Sequence, residues 1–352
     1  MSPRKQSDIF KSILMLWKFC GLWFGRNTNK KYKYYSCINI FINLVLYVII
    51  LTVNLCFTPR KIKYLIPEVI FYFTEIAVMS KVFMVIIMRD KILEAFNVMD
   101  GRDLNGDDEA SKKIIKRDNA NFSSFWKFFI VLAQLAYANL VFVPILLHFS
   151  TKTELSLPIS QYYFLAEEYR ERYFIYLFAY QSCAIYVHMM YNISVDSFVA
   201  GLLLTGVTQL RVLNGKLKNL KLSKHENTLS LKEQDDLQNM KLRNLISRYS
   251  VVLRYCVIIQ NIINFNMFIV FGLSSVIICV TLCELLFLVT FAAFCSEWIP
   301  RSKSFKNNLR ILIERTNSPI QFTGLKIFSM SLTTFTTVSF NIFAQVPNYI
   351  IT

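Results

Sequence analysis

Long apolar runs alternate along this chain with connections that carry either many Lys and Arg residues or few. No other feature limits the fold as strongly. A segment in hydrocarbon must satisfy its backbone polar groups internally, and an apolar run of about 20 residues does so as a helix. Residues 1–33 carry eight basic residues: Arg4, Lys5, Lys11, Lys18, Arg26, Lys30, Lys31 and Lys33. After the first apolar run, residues 58–64 carry three (Arg60, Lys61, Lys63), and after the next run 89–123 carries seven. The connection 149–172 carries three, offset by four glutamates, and 205–256 carries ten. Lys and Arg gather at the cytoplasmic flanks of membrane spans. The high-low-high-low-high series therefore predicts inside, outside, inside, outside, inside, with a cytosolic amino terminus. The predicted fold class is all-α: a polytopic membrane helical bundle.

Composition agrees. Hydrophobic residues make up 54% and charged residues 18% of 352 residues, which argues against a soluble enzyme. The net charge of +16 lies in the connections rather than on one basic face, so no nucleic-acid partner is expected. The eight cysteines sit mostly in or beside apolar runs, with no CxxC pair, and the three histidines (148, 188, 225) are scattered. No metal, no cofactor and no catalytic constellation is expected. Cys279 and Cys283 share a helix face at four-residue spacing and are read as packing residues. Residues 1–33 lack a small-residue cleavage site after an apolar core, so no cleavable signal peptide is expected.

The chain divides in order. A cytosolic segment spans 1–33. Four spans occupy 34–204, at about 34–57, 65–88, 125–148 and 173–204. The connection 205–257 repeats Leu210, Leu213, Leu217 and Leu220, then Leu237, Met240, Leu242, Leu245 and Ile246, around a polar break at 223–236. That spacing predicts long helical extensions of the neighbouring spans, packed on each other or on another subunit. Residues 258–294 hold one charge, Glu284; a basic amphipathic segment occupies 295–323, and a last apolar run falls in 324–352. Lys81 and Asp196 lie towards the cytosolic ends of their spans, where a charge can reach the interface.

The carboxy-terminal stretch Pro319-Ile-Gln-Phe-Thr-Gly-Leu-Lys-Ile-Phe-Ser-Met-Ser-Leu-Thr-Thr-Phe335 resembles the insect odorant receptors. Their pattern there is Pro, then Thr-Ala-Gly-Lys, then Ser-Leu-x-Thr-Phe. Thr323, Lys326, Ser331, Leu332, Thr334 and Phe335 match it in register, while Gly324 and Leu325 depart from it. Trp298 with Pro300, the ending from Ser339 to Val346, residues 16–23, and Asn192, Asp196, Gln209 and Leu213 add to the resemblance, which covers nearly the whole chain. The related gustatory receptors end in Thr-Tyr, five residues, then Gln-Phe; Ser339, Phe340 and Gln345 fall one residue short of that spacing.

The resemblance implies seven helices, with the amino terminus inside, the reverse of a G-protein-coupled receptor. It implies a tetrameric, ligand-gated, non-selective cation channel in the plasma membrane of olfactory sensory neurons. An odorant-tuned subunit would pair there with a co-receptor subunit, in a heterotetramer that detects small volatile organic molecules. The cytosolic parts of the later helices would form the assembly anchor. The long insertion between spans 4 and 5 that marks the co-receptor is absent, so the chain resembles a tuning subunit. One departure stands out. Residues 271–286 match span 5, and only 287–294 remain before Cys295, so span 6 is shortened or missing. Charge makes the same point. If 258–294 crosses once, the cluster at 301–315 lands outside, against the positive-inside bias; if it crosses twice, each pass is barely long enough. A skipped exon, a gene-model error and a short receptor with a compact hairpin all remain open. So do a gustatory-type channel and a truncated isoform that keeps only the assembly anchor. A transporter is disfavoured by the lack of internal repeats.

Volatile ligands are small and mostly apolar, and a cavity of aromatic and aliphatic side chains between helices suits them. The resemblance implies a pocket in the outer half of the bundle. Its candidates are Phe71, Tyr72 and Glu75 in span 2, Tyr137 and Val141 in span 3, Tyr180, Gln181 and Ala184 in span 4, and Ser275 and Cys279 in span 5. Glu75 is singled out on physical grounds as well, because a mid-span carboxylate is costly to bury. For the pore, the resemblance implies Gln345, Val346 and Tyr349. Ala344 beside them would let helices approach, and Pro347 would end or kink the helix.

Overall fold

The structure, a computed structural model, describes residues 5–23, 29–101, 104, 108–151, 155–218, 231–295, 298–316, 322–324 and 328–330. A single-turn 3-10 segment Gln6–Phe10 leads into α1 (Lys11–Phe19). The first long helix runs from α2 (Lys30–Ile40) through a π-helical turn (Phe41–Val45) into α3 (Leu46–Phe57). Then come α4 (Ile62–Ile87), α5 (Arg89–Met99), α6 (Glu109–Thr151), the short α7 (Glu167–Arg172) and α8 (Phe174–Lys218). The chain continues with α9 (Leu231–Cys295) and α10 (Lys303–Thr316). Among the described residues five helices are long and apolar enough to cross a membrane: Lys30–Phe57, Ile62–Ile87, Glu109–Thr151, Phe174–Lys218 and Lys232–Leu282. The four predicted early spans coincide with the first four of these to within one residue at the ends that overrun.

Three helices far outreach a bilayer. At 1.5 Å per residue, the 43 residues of α6, 45 of α8 and 65 of α9 extend about 65, 68 and 98 Å, against a hydrocarbon core of about 30 Å. The surplus is the polar end of each: the start of α6, the end of α8 and the start of α9. Within 205–257 the chain is helical up to Lys218 and again from Leu231, and residues 219–230 lie outside the described residues.

The chain forms two units. The first comprises Met1–Ile49, Val78–Gln161 and Glu168–Met267; the second comprises Ile50–Ala77, Tyr162–Glu167 and Phe268–Thr352. In the first unit the amino-terminal segment is part of the core. Phe10, Ile13 and Trp17 are completely buried. Phe10 meets Phe96 of α5, Phe122 of α6 and Phe198 of α8 at ring-centroid distances of 5.6, 5.9 and 5.1 Å. The Trp17 ring packs at a tilt on Phe198, centroids 4.7 Å apart, and its indole N–H donates to Ser194 Oγ at 2.9 Å. α1 ends in a left-handed turn at Gly21 (φ 74°), with Leu22 N–H donating to the Trp17 carbonyl and Gly21 N–H to the Lys18 carbonyl. A side chain at Gly21 would also press on the Ser36 backbone at 3.0 Å.

Two expectations need correction. The stretch 258–294 forms neither a hairpin nor a span with a second remnant, because α9 runs unbroken through it to Cys295. It contains no proline, and its one glycine, Gly272, costs a helix only about 1 kcal/mol relative to alanine, too little to turn it. The second correction concerns the start of the last apolar run. Phe322–Gly324 and Phe328–Met330 pair as short antiparallel strands, Phe322 opposite Met330, rather than opening a helix at Gly324. Phe and Thr favour strand, and Gly324 is a poor helix residue.

Gly201 shows what the core geometry demands. A Cβ there would sit 2.5 Å from Phe10 Cε1 and 2.7 Å from Phe122 Cζ. Gly201→Ala should therefore destabilise the protein by about 1–3 kcal/mol, although alanine is the better helix former. Thermal unfolding of the detergent-solubilised protein tests this, and Phe10→Leu in the same chain should recover part of the loss.

Candidate functional site

α8 carries the chemistry of the first unit. Tyr180, Ala184, His188 and Tyr191 fall on one stripe of it, facing the π-helical turn of the first span. A π-helical turn shifts the backbone hydrogen-bond pattern and leaves carbonyls for outside donors. Tyr180 Oη donates to the Ile42 carbonyl at 3.2 Å, and His188 Nε2 donates to the Asn43 carbonyl at 2.5 Å. Asn43 Nδ2 donates in turn to Asn39 Oδ1 at 2.9 Å. Tyr191 Oη and Asn39 Nδ2 both donate to the Cys20 carbonyl at 2.7 Å. Tyr47 packs edge-on against His188 and Tyr180, with ring centroids 5.1 and 6.2 Å away. The polar side chains of this stripe thus tie the amino-terminal segment, the first span and α8 together.

The candidate ligand residues of the first unit lie beside this stripe. Val141 and Ala184 are buried, and Tyr137 is half-buried. Tyr137 Oη donates to the Ser182 carbonyl at 3.2 Å, and its ring stands 5.1 Å from that of Tyr186. Gln181 is fully buried, and its amide holds the connection before α7: Oε1 accepts from Ile159 N–H, and Nε2 donates to the Ser160 carbonyl, both at 3.0 Å. The connection 155–161 is therefore a packed element, with Leu157 and Ser160 buried. The remaining candidates lie in the second unit. Phe71 and Tyr72 are half-buried on α4, with Tyr72 Oη 3.4 Å from Thr52 Oγ1. Glu75 is only 4% exposed. Ser275 Oγ donates back to the Phe271 carbonyl at 2.9 Å, and Cys279 is exposed. In the same unit Asn54 Oδ1 accepts from Tyr163 N–H at 2.5 Å, beside Tyr162, which holds a left-handed φ of 49°. The pore candidates Gln345, Val346 and Tyr349, with Ala344 and Pro347, lie outside the described residues.

The sequence reading missed Asn43, Tyr47 and His188, and the way Lys81 and Asp196 work together. Lys81 Nζ lies 2.8 Å from Asp196 and 2.6 Å from Asn192 Oδ1, joining α4 to α8. Next to it Ser80 Oγ donates to Asn266 Oδ1 of α9 at 3.0 Å. The opposite charges and their similar depth were visible in the sequence; the register between the helices was not.

Below this level lies a buried polar knot. Gln6 Nε2 donates to the Leu104 carbonyl at 2.8 Å, and Gln209 Nε2 donates to Gln6 Oε1 at 3.1 Å. Arg248 donates to Gln209 Oε1 at 3.2 Å and to the Leu104 carbonyl at 3.3 Å. Asp118 accepts from Thr208 and Arg211, each at 2.9 Å. Asp108 caps α6 through Ser111 and pairs with Lys216 at 3.1 Å. The Ser111 hydroxyl and then Lys216 outweigh partial burial and hold its carboxyl down at about 2.

A helical bundle with several apolar spans and its polar side chains tied helix to helix defines a multi-pass membrane protein. The sequence matches the family model "7tm Odorant receptor" over residues 61–292 and 288–342. The chain belongs to the insect odorant receptor family. The two matched stretches meet at residues 288–292, inside the segment where the sequence falls a span short. Its fold is similar to that of the olfactory receptor OR5 from the insect Machilis hrabei, with a TM-score of 0.63 and 15% identity over 96% of this chain and 97% of that one. The same receptor in complex with eugenol matches at 0.61 and 14%, over 96% of each chain. No curated protein matches the sequence. Family membership makes the chain a receptor rather than an enzyme.

The Lys81–Asp196 pair predicts an asymmetry. The Lys81 side chain is 9% exposed and that of Asp196 47%. Asp196→Leu strands a buried ammonium with only Asn192 and should cost about 2–3 kcal/mol, less than breaking a fully buried pair. Lys81→Met leaves a carboxylate that water reaches and should cost about 1 kcal/mol. Melting temperatures of the two variants in detergent give the order, and the double variant should fall short of their sum.

Proposed function

We propose that this chain is an odorant-tuned subunit of a ligand-gated, non-selective cation channel, acting with a co-receptor subunit in a heterotetramer. It would work in the plasma membrane of olfactory sensory neurons, with its amino terminus in the cytosol. Family membership together with a fold matched over nearly its whole length carries the reading. The charge series supports the orientation: the polar ends of α6, α8 and α9, which hold the basic connections 89–123 and 205–256, are the cytosolic ends. Their buried knot of Gln6, Gln209 and Arg248 makes a rigid base, suited to assembly.

The ligand would be a small volatile molecule bound mainly by apolar area, so selectivity would be broad and shape-based. That the related OR5 has a complex with eugenol supports a phenol-sized aromatic as the first class to try. In the first unit Tyr137, Val141, Tyr180 and Ala184 are the side chains we assign to it, with Gln181 acting through the connection 155–161 that it holds. In the second unit the assigned side chains are Phe71, Tyr72, Glu75, Ser275 and Cys279. The pore is assigned to Gln345, Val346 and Tyr349. A ligand opens the channel only so far as it binds the open arrangement more tightly.

Co-expression with a co-receptor in oocytes, and a panel of volatiles, tests this. An odorant-evoked cation current supports the channel, and Ala184→Phe should then shift the dose–response curve to about tenfold higher concentration with little change in surface expression. Surface co-assembly without current for any volatile would instead support a truncated partner that retains only the anchor. Sequencing transcripts across the region encoding 286–295 gives a second check: a form encoding about 20 further apolar residues there is expected if a span has been lost.

A further inference from the structure

α1 has two faces. Phe10, Ile13, Trp17 and Cys20 point into the core of the first unit, while Lys11, Ser12, Met15, Lys18 and Phe19 form the opposite stripe and are exposed. Met15 is 67% and Phe19 74% exposed. These two large apolar side chains stand one turn apart, and Lys11 and Lys18, seven residues apart, run along one edge of them, a pattern suited to a helix that lies in a membrane interface.

The height of that stripe is fixed by hydrogen bonds. Tyr32 Oη donates to the Lys18 carbonyl and Tyr35 Oη to the Phe19 carbonyl, both at 2.6 Å. Asn39 and Ser36 hold the next two carbonyls, of Cys20 and Gly21. The end of α1 therefore sits level with the first turns of a membrane-spanning helix. On that helix the exposed apolar surface begins at Tyr34 and continues through Tyr35, Ile38 and Phe41. Tyrosines mark the depth of the headgroups. Lys30, Lys31 and Lys33 are exposed beside them, and Asp8, which accepts from Lys5 N–H, is the one acid within residues 1–33.

We propose that the outward face of α1 lies on the bilayer surface, with Met15 and Phe19 inserted below the headgroups and Lys11 and Lys18 holding anionic phospholipid. The long stems of the lysines let the ammonium groups reach up to the phosphates while the apolar pair goes down. The segment whose inner face plugs the core would then be held on its outer face by lipid, so that leaflet charge bears on the packing of Trp17 against α8.

Photo-crosslinking tests this in the full chain. With Phe19→p-benzoylphenylalanine, in nanodiscs of equal parts phosphatidylcholine and phosphatidylserine, irradiation should yield phospholipid adducts. Phosphatidylserine should be favoured by about fivefold for each lysine. Adding Lys11→Gln and Lys18→Gln should bring the two lipids near parity while adducts persist. Three results would overturn the proposal: no lipid adduct, adducts to a second protein chain, or a serine-lipid preference that is absent or that survives the loss of both lysines.

Discussion

In hydrocarbon a polar side chain has no water to fall back on, and the first unit is built around that constraint. α8 meets it by bonding to nearly every element it touches. Of its most apolar stretch 61% is buried, against 6% for α6 and 11% for α9. Its Tyr180 and His188 take carbonyls that the π-helical turn releases, its Ser194 takes the Trp17 indole, and its Asn192 and Asp196 take Lys81. Each of these bonds sets the rotation of a neighbouring helix as well as its distance. Apolar packing alone would leave that rotation loosely defined, because lipid tails compete with side chains of the same character.

The amino-terminal segment depends on the same helix. Without Gly201, Phe10 could not approach α8 so closely; without Phe10 and Trp17, the aromatic cluster with Phe96, Phe122 and Phe198 would open. Burying an aromatic side chain is worth a few kcal/mol, and edge-to-face contact adds about 1 kcal/mol. Gln6, four residues before Phe10, continues the attachment into the knot with Gln209 and Arg248. A segment that is basic and only mildly amphipathic in sequence is thereby fixed between the long helices.

Much of this was legible in the sequence. The apolar runs placed four spans on the observed helices, two of them overrunning by one residue, and the leucine spacing after residue 205 pointed to helix on both sides of the polar break. Those readings rest on local periodicity, which one chain segment carries by itself. What the sequence hid depends on register between segments. Gln181 was named for a ligand pocket in the outer half of span 4, yet its amide is spent on Ile159 and Ser160, 22 and 21 residues earlier. His188 was noted only as too isolated to bind metal, yet it sits at a released carbonyl. No periodicity marks the π-helical turn that releases it.

The later part of the chain sets two rules against each other. Helix continuity is local: with no proline and one glycine between 258 and 294, no strong breaker interrupts α9. The positive-inside bias acts on the flanks of a span, and it assigns the basic residues of α10 to the cytosol. A chain of normal length satisfies both by ending one helix and starting another. Here α9 runs unbroken to Cys295, and the two rules disagree over which face of the membrane α10 occupies. Arg301, Lys303, Lys306 and Arg310 are all exposed, so they can be solvated on either face of the membrane.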